Sequence, residues 1–485
     1  MMSERKPSRG LYLAIDQGGH GSRALVFDHR GEAIAEGVHK LGFMQPQPNW
    51  VEQDADDLVA SVRFAVNEAV NALGVRSKEI VAAGLATQRS SIACWDKHTG
   101  TALSPVISWQ DRRAHEWLHR FSELAERIHQ TTGLFLSAHY GASKFRWCLD
   151  NLTTVQKAHE KASLAWGPVA SFLLFRLLAE RPLVADPANA ARTLLWNLKT
   201  RDWDPGLLEL FDLPSEPLPQ CVPSRYDFGT LCFGHQNVPM NVVTGDQTAA
   251  LFGFGQPQAE TSYINVGTGA FIQRLSGRHP GYHRQYLTVM VLQDGTDLIY
   301  GLEGTVNGAA SALRWLEREY GVRDLDANLS EWLAQSRSPP VFLNGVSGLG
   351  SPYWIPDFPS HFIGEGEKSE KAVAVVESIV FLLQTNLEGM FDLASPPQQI
   401  QISGGLSRLA GLCQRLADVS GLPVYRPQTY EATARGLAFL LAGRPRSWPE
   451  NEPGQWFRPV QNLSLADRYA AWREGMNAAV VRTAG

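Results

Sequence analysis

The chain opens on an apolar run, Leu11-Tyr12-Leu13-Ala14-Ile15, that breaks at Asp16-Gln17-Gly18-Gly19-His20-Gly21-Ser22-Arg23 and resumes as Ala24-Leu25-Val26-Phe27-Asp28. Short apolar runs around a glycine-rich break predict two strands joined by a turn. Between positions 57 and 73 the apolar residues Leu58, Val62, Ala65, Ala69 and Leu73 recur at helical spacing and Gly74 follows, which predicts an amphipathic helix with a glycine at its end. A strand over 80–86 then delivers Thr87-Gln88-Arg89-Ser90, and another over 92–96 closes on Lys97-His98-Thr99-Gly100. Further on, Val242-Val243-Thr244-Gly245 ends in Asp246, which sets a carboxylate at the mouth of an apolar strand before the small-residue stretch Gln247-Thr248-Ala249-Ala250-Leu251.

The pattern then starts again. A strand over 261–266 enters Gly267-Thr268-Gly269 and leaves as Ala270-Phe271-Ile272, so the two halves open alike and predict two related domains facing one another. Gly253, Gly255 and Pro257 interrupt the apolar pattern and mark the boundary. The second half is richer in helix, with helices expected over 308–320, 371–390, 407–419 and 431–442, and a strand over 399–402 running into Ser403-Gly404-Gly405-Leu406. The division is therefore a first domain over 10–253, a second over 259–445, and an extension over 446–485. Residues 444–459 are rich in proline and polar residues, and a short helix is expected near 464–478.

Composition narrows the classes. A chain of 485 residues exceeds the size at which single cores stop growing, and 44% hydrophobic with 19% charged residues describes an ordinary globular protein. The net charge of -5 and the scattered basic residues give no polyanion-binding surface, so nucleic acid is not an expected partner. Five cysteines without a CxxC pair argue against a disulfide framework or a zinc site and favour a reducing, cytoplasmic setting. The start, Met1-Met2-Ser3-Glu4-Arg5-Lys6-Pro7, carries no apolar leader, and no segment approaches 18 uncharged apolar residues, so membrane insertion is not expected.

Glycine turns at strand ends with Asp16 and Asp246 beside them suit chemistry on a phosphate. Phosphoryl transfer needs main-chain N–H groups around the nucleotide phosphates, a divalent cation, and a carboxylate that orients and deprotonates the attacking hydroxyl. Gly18, Gly19 and Gly21 let the main chain approach an anion, Arg23 is within reach of a phosphate oxygen, and Gly267-Thr268-Gly269 with Gly404-Gly405 offer the same from the second half. Any one of these turns alone reads more simply as a strand connection in which glycine supplies a positive φ. There is no GxxxxGK[ST] and no GxGxxG, which leaves out a P-loop and a Rossmann fingerprint.

Taken in order, these motifs resemble the FGGY family of carbohydrate kinases, and within it the glycerol kinases. The resemblance rests on Asp16-Gln17-Gly18 with Ser22-Arg23, Trp50-Val51-Glu52-Gln53-Asp54, Gln88-Arg89, Trp109-Gln110-Asp111-Arg112-Arg113 and Lys144-Phe145-Arg146-Trp147 with Asp150-Asn151. It continues through Gly245-Asp246-Gln247, Gly267-Thr268-Gly269, the run Ser347-Gly348-Leu349-Gly350-Ser351-Pro352-Tyr353-Trp354, Gly404-Gly405 and Glu431-Ala432-Thr433-Ala434. The resemblance implies an α/β protein of two actin-like, ribonuclease-H-like domains with ATP and Mg²⁺ in the cleft between them. It implies Asp246 as general base, Asp16 and Asp246 as the carboxylates toward Mg²⁺, and a polyol or sugar held by Arg89, Trp109, Asp246, Gln247 and Phe271. Nucleotide contacts fall on Gly18, Gly19, His20, Arg23, Gly267, Thr268, Gly269, Ala310, Gly404, Gly405 and Leu409.

Several positions depart from the family pattern. Ser90 stands where a glutamate is usual, and His139 stands where a tyrosine is usual unless the loop shifts by one and Tyr140 takes the place. Gly19-His20-Gly21 replaces small hydroxylic residues of the phosphate turn, Ser403 replaces an aspartate and Leu409 an asparagine. A site that reads hydroxyls by hydrogen bonds discriminates strongly, so such changes alter the acceptor before they alter the reaction. His139 reads equally well as a packing residue. Trp147, Trp315 and Trp354 read as core, and Arg112 and Arg113 as salt links holding a loop as readily as phosphate contacts. The sequence thus points to an ATP-dependent kinase of a small polyol or sugar. The alternatives are a sugar- or nucleotide-binding protein that has lost catalysis and, less fittingly, a chaperone-type ATPase, since no peptide-binding module follows the second domain. Homo-oligomerisation is left open.

Overall fold

The computed structural model describes residues 10–336, 338–428, 431–446 and 454–484. The start of the chain and much of the proline-rich stretch expected over 444–459 lie outside the described residues. Two mixed sheets form the frame. The first has the strand order Arg225–Phe233, Gln236–Gly245, Ile80–Thr87, Leu11–Gly18, Gly21–Phe27 and Ala33–Lys40. Strand Leu11–Gly18 pairs antiparallel with Gly21–Phe27, Gly18 facing Gly21, and parallel with Ile80–Thr87. The expected glycine turn is thus a two-residue hairpin, with only Gly19 and His20 between the paired positions.

The second sheet repeats the plan. Strand Thr261–Val266 pairs antiparallel with Ala270–Gly277 and parallel with Gln399–Ser403, and the sheet is completed by Leu287–Asp294, Asp297–Val306, Val424–Arg426 and Gln455–Phe457. A hairpin on one side of the first strand and a parallel neighbour on the other recur in both halves, which is the ribonuclease-H-like arrangement.

Helix Ala55–Leu73 forms where expected. Asp54 caps it by accepting from the amides of Asp56 and Asp57, Gly74 ends it at φ 57°, and Leu58, Val62, Ala65 and Ala69 face the first sheet. In the second domain, helix Lys368–Gly389 is buried along most of its length. Two apolar helical stretches, Ala55–Glu79 and Lys368–Gly389, are long enough to cross a membrane, and both give their apolar residues to these cores. The helix expected over 407–419 begins later, at Ala410, after a 3-10 turn over Gly405–Arg408. The closing helix is longer than expected, spanning Leu463–Ala484, and Leu465, Trp472 and Met476 sink into the second core.

Helix Ala432–Leu441 lies in sequence between strands Val424–Arg426 and Gln455–Phe457 of the second sheet but packs on the first. Leu437 and Leu441 lie over Gly84 of strand Ile80–Thr87, and Ala434, Leu437 and Ala438 join the core containing Ala249 and Phe252. Gly436 is where this helix crosses Asp246–Ala250, so closely that a Cβ at Gly436 would meet the Ala249 carbonyl oxygen at 1.8 Å. Within the second domain, Gly404 at φ 91° runs against the Val266 main chain, where an added Cβ would meet Val266 O at 2.6 Å.

Candidate active site

The parallel strands carry their polar ends to one edge of each sheet, and the two edges face one another. On the first, strand Leu11–Gly18 brings Asp16, the turn after Ile80–Thr87 brings Arg89 and Ser90, and strand Gln236–Gly245 delivers Asp246 as the opening residue of helix Asp246–Ala250. The Gln247 amide donates to Asp246 Oδ1 at 2.7 Å, and Thr433 Oγ1 donates to the Asp246 carbonyl at 3.3 Å. Arg89, its side chain 8% exposed, sets Nε 3.9 Å from Asp246 Oδ1 and donates from Nη2 to Gln247 Oε1.

Burial raises the Asp246 carboxyl above its ordinary range, and Arg89, the Gln247 amide and Arg192 offset part of that rise. Asp16 is pushed up to about 7, first by burial and then by the facing charges of Asp246 and Glu431, against which Arg23 acts. A buried carboxyl raised by a facing carboxylate marks a place that gains from a cation. Among the described residues no three acidic, histidine or cysteine side chains converge on one ion position. A cation here would keep water and phosphate oxygens among its ligands, which suits Mg²⁺, and Asp16 and Asp246 are the residues that fit it.

A cavity of about 240 Å³ lies against this edge and is lined from both domains: Asp246, Gln247 and Thr433 on one side, Asn265, Phe271, Gln273 and Ser403 on the other. Beside Arg89 a second group of expected residues assembles. Ser90 is strained at φ 64°, buried, and its Oγ has no partner among the described residues. The buried Lys144 ammonium donates to the carbonyls of Ser90 (2.9 Å) and His139 (2.7 Å) and so pins both loops. The His139 ring lies 5.7 Å from that of Trp109 and 4.9 Å from that of Tyr140. Burial, then the charges of Arg112 and Lys144, hold the His139 imidazole well below its ordinary range, so it is neutral at pH 7.

The loop bearing Trp109 is bolted from beneath. The Arg113 side chain is fully buried, bonds Asp111 and Glu52 (2.8 and 2.6 Å), and lies over the rings of Trp50 and Trp147 at 4.0 and 4.5 Å, the two rings themselves meeting edge-on at 5.0 Å. Arg112 donates to the carbonyls of Trp109 and Asp111. Both arginines therefore hold the loop, and Trp147, Trp315 and Trp354 pack against the cores.

At the phosphate turn, His20 is exposed and edge-on to Phe43 at 5.2 Å. A Cβ at Gly19 would come within 2.9 Å of the Phe43 ring, so Phe43 fills the space beside the turn. Arg23 forms an ion pair with Glu431. In the second domain the Gly267 and Thr268 carbonyls accept from the amides of Ala310, Ala309 and Ser311, which docks helix Ala310–Tyr320 onto the turn and occupies the Ala310 N–H. Ser403 Oγ accepts from Asn265 Nδ2 at 3.1 Å, and Leu409 packs against the second core, away from the cavity.

Glu303, Arg192 and Gln273 were not expected at the site. Glu303 lies on strand Asp297–Val306 and is 1% exposed. It accepts from Arg192 Nη2 at 2.7 Å through one oxygen, and from Arg89 Nη2 at 3.3 Å and Gln273 Nε2 at 2.5 Å through the other. The sequence signal was a lone charge in an apolar stretch, at Leu302-Glu303-Gly304 and again at Ala191-Arg192-Thr193-Leu194. Buried charges in such stretches are paired.

Known proteins resemble this chain over nearly its whole length. The N-terminal domain of the FGGY family of carbohydrate kinases matches residues 11–253, and its C-terminal domain matches residues 262–443. Glycerol kinase of Acinetobacter baylyi is 32% identical over 439 residues, covering 88% of this chain and 89% of the relative. Glycerol kinase of Trichlorobacter lovleyi is 33% identical over 493 residues, covering 98% of each. Among solved structures, Plasmodium falciparum glycerol kinase with ADP superposes with a TM-score of 0.87 at 22% identity, covering 98% of this chain and 99% of that one. A xylulose kinase from Rhodospirillum rubrum gives 0.86 at 16%, covering 98% and 100%. The chain belongs to the FGGY family of carbohydrate kinases, ATP-dependent phosphotransferases that take an alcohol group as acceptor.

Proposed function

We propose that this kinase phosphorylates a small polyol or ketose other than, or in addition to, glycerol, with Asp246 as general base and Arg89, Ser90, Trp109, His139, Gln247 and Phe271 around the acceptor. The observation that carries the altered acceptor pocket is Ser90. Its buried hydroxyl has no partner among the described residues, and it brings a neutral donor and acceptor to a position beside Arg89 where a fixed charge would otherwise read one hydroxyl.

In this reading the acceptor O–H donates to Asp246. As the acceptor oxygen bonds the γ-phosphorus and the bond to the bridging oxygen of ADP breaks, the proton passes to the Asp246 carboxylate. The raised Asp246 affinity for protons favours that transfer. Arg89 steadies the negative charge, and Gln247 orients the base through its amide. Asp16 and Asp246 would hold Mg²⁺, which would neutralise charge on the phosphates. At the phosphate turn, main-chain amides of Gly18 and Gly19, with His20 as donor, serve in place of side-chain hydroxyls. The five cysteines, all unpaired, support a cytoplasmic setting.

The test is ADP release with Mg-ATP against glycerol, tetritols, pentitols, pentuloses and hexoses, with Asp246→Ala alongside. One acceptor is expected to give turnover that the variant loses by a factor of about 10² to 10⁴, the usual contribution of a positioned base. Full turnover by the variant refutes the mechanism. A second reading, a binding protein without catalysis, is favoured by the Arg23–Glu431 pair, which occupies the guanidinium expected on phosphate. It prevails if no acceptor turns over while ATP or a sugar raises the melting temperature.

A further inference from the structure

Arg89 comes from the first domain, and three acceptors surround it. Two of them, Asp246 and Gln247, share its domain. The third, Glu303, stands on strand Asp297–Val306 of the second sheet. Glu303 is also held by Arg192 of the first domain and by Gln273 of its own, so a single carboxylate closes a buried ion triad across the domain interface. The Arg89 side chain is 8% exposed, that of Arg192 5%, and that of Glu303 1%.

Such a triad is poor value as a stabiliser, because two guanidiniums and one carboxylate lose their hydration and leave one positive charge in excess. Burial alone would raise the Glu303 carboxyl. Arg192 and Arg89 overcome that and hold it down to about 2, so it stays ionised at every working pH. What the arrangement does supply is direction. Glu303 and Gln247 both take Nη2 of Arg89, which fixes the plane of the guanidinium, and Nη1 is left without an acceptor among the described residues. A planar donor fork held along one edge presents its remaining N–H groups in a set direction.

We propose that Glu303 is a positioning residue: from the second domain it aims Arg89 at the acceptor hydroxyl, so that the acceptor site is complete only when the two domains are in contact. The proposal rests on the reading of Arg89 and Asp246 as acceptor-site residues and adds the coupling to it. Parting the domains takes Glu303 away from Arg89 and Arg192 together, and Arg89 then falls to its nearest anion, Asp246, which is also the proposed base. Two-site linkage follows: a nucleotide that holds the domains together tightens the acceptor, and the acceptor tightens the nucleotide by the same factor.

The test compares the full-length protein with Glu303→Gln, Glu303→Asp and the double variant Glu303→Gln/Arg192→Met, in which removing both charges relieves the uncompensated cation and keeps the fold. In Glu303→Gln and the double variant the acceptor KM is expected to rise about tenfold or more, the effect of one misaimed charged hydrogen bond, while the Kd of ADP measured without acceptor stays within a factor of two. Glu303→Asp keeps the charge and recovers part of the loss. Acceptor affinity by calorimetry, with and without ADP, is expected to improve about fivefold or more on adding ADP in the parent and not to change in the double variant. A double variant that melts like the parent and keeps its acceptor KM and its ADP effect overturns the proposal. An Asp246→Ala protein with full turnover overturns the underlying reading instead, so the two failures are distinct.

Discussion

Gly436→Ala tests whether the chemistry depends on one helix crossing. A methyl group at 436 would lie 1.8 Å from Ala249 O, 2.7 Å from Ala249 C and 3.1 Å from Gly253 N. Ordinary contact begins at 3.4 Å, so the helices over Ala432–Leu441 and Asp246–Ala250 must separate by about 1.6 Å or the main chain must tilt. Helix propensity favours alanine by roughly 1 kcal/mol, and overpacking against rigid main chain opposes it by about 1 to 3 kcal/mol. The clash wins, because the obstacle is a carbonyl rather than the end of a flexible side chain. Asp246 lies one turn before Ala249, and Thr433, which bonds the Asp246 carbonyl, rides on the displaced helix. A reacting group misplaced by about 1 Å loses roughly 10²-fold in rate. The variant is therefore expected to lose kcat far beyond what its modest loss of stability explains, measured by ADP release under saturating acceptor beside a urea melt. A kcat within a factor of two of the parent refutes the reasoning.

Two further outcomes are expected. Arg113→Ala strands the buried carboxylate of Asp111 and the partly buried one of Glu52 and removes the guanidinium from the faces of Trp50 and Trp147, so it should cost about 3 to 5 kcal/mol in urea unfolding followed by tryptophan fluorescence. A loss under about 1 kcal/mol would show the bolt to be idle. Asp186 is buried and its carboxyl is raised from 3.8 to about 6, burial outweighing the bonds from Asn189. The folded state therefore holds more protons than the unfolded between those values, and the Asp186 contribution to stability falls as pH rises from about 4 through 6, by up to roughly 3 kcal/mol. Asp186→Asn keeps an oxygen for the Asn189 amide and removes the ionisation, so its unfolding midpoint should fall less across that range. Identical pH dependence in both proteins would count against the assignment.

The parts legible in the sequence were those written in contiguous residues. The hairpin at Gly18 and Gly21, the cap and stop of helix Ala55–Leu73, and the second opening at Gly267 each carry their signal within a few positions. Asp246 stood out for the same reason, as a carboxylate ending an apolar strand. Glu303 did not, because what makes it significant is Arg89, which lies 214 residues away, and Arg192, 111 residues away. Lys144 was visible as part of a family motif, yet nothing local marks it as the peg beneath Ser90 and His139. Boundaries slipped where tertiary contact overrides local preference: the helix expected from 407 yields its first turn to a 3-10 segment, whose Ser407 and Arg408 carbonyls accept from Arg426.

Helix Ala432–Leu441 also bears on how the chain is made. The first sheet and its strands are complete in sequence by Gly245, but the apolar surface around Gly84, Ala249 and Phe252 waits for a helix encoded nearly 200 residues later. A nascent chain emerging from its N-terminus exposes that surface through most of the synthesis of the second domain. The first domain is thus completed only after most of the second has been made, while strand Gln455–Phe457 and helix Leu463–Ala484 of the second domain are still to follow.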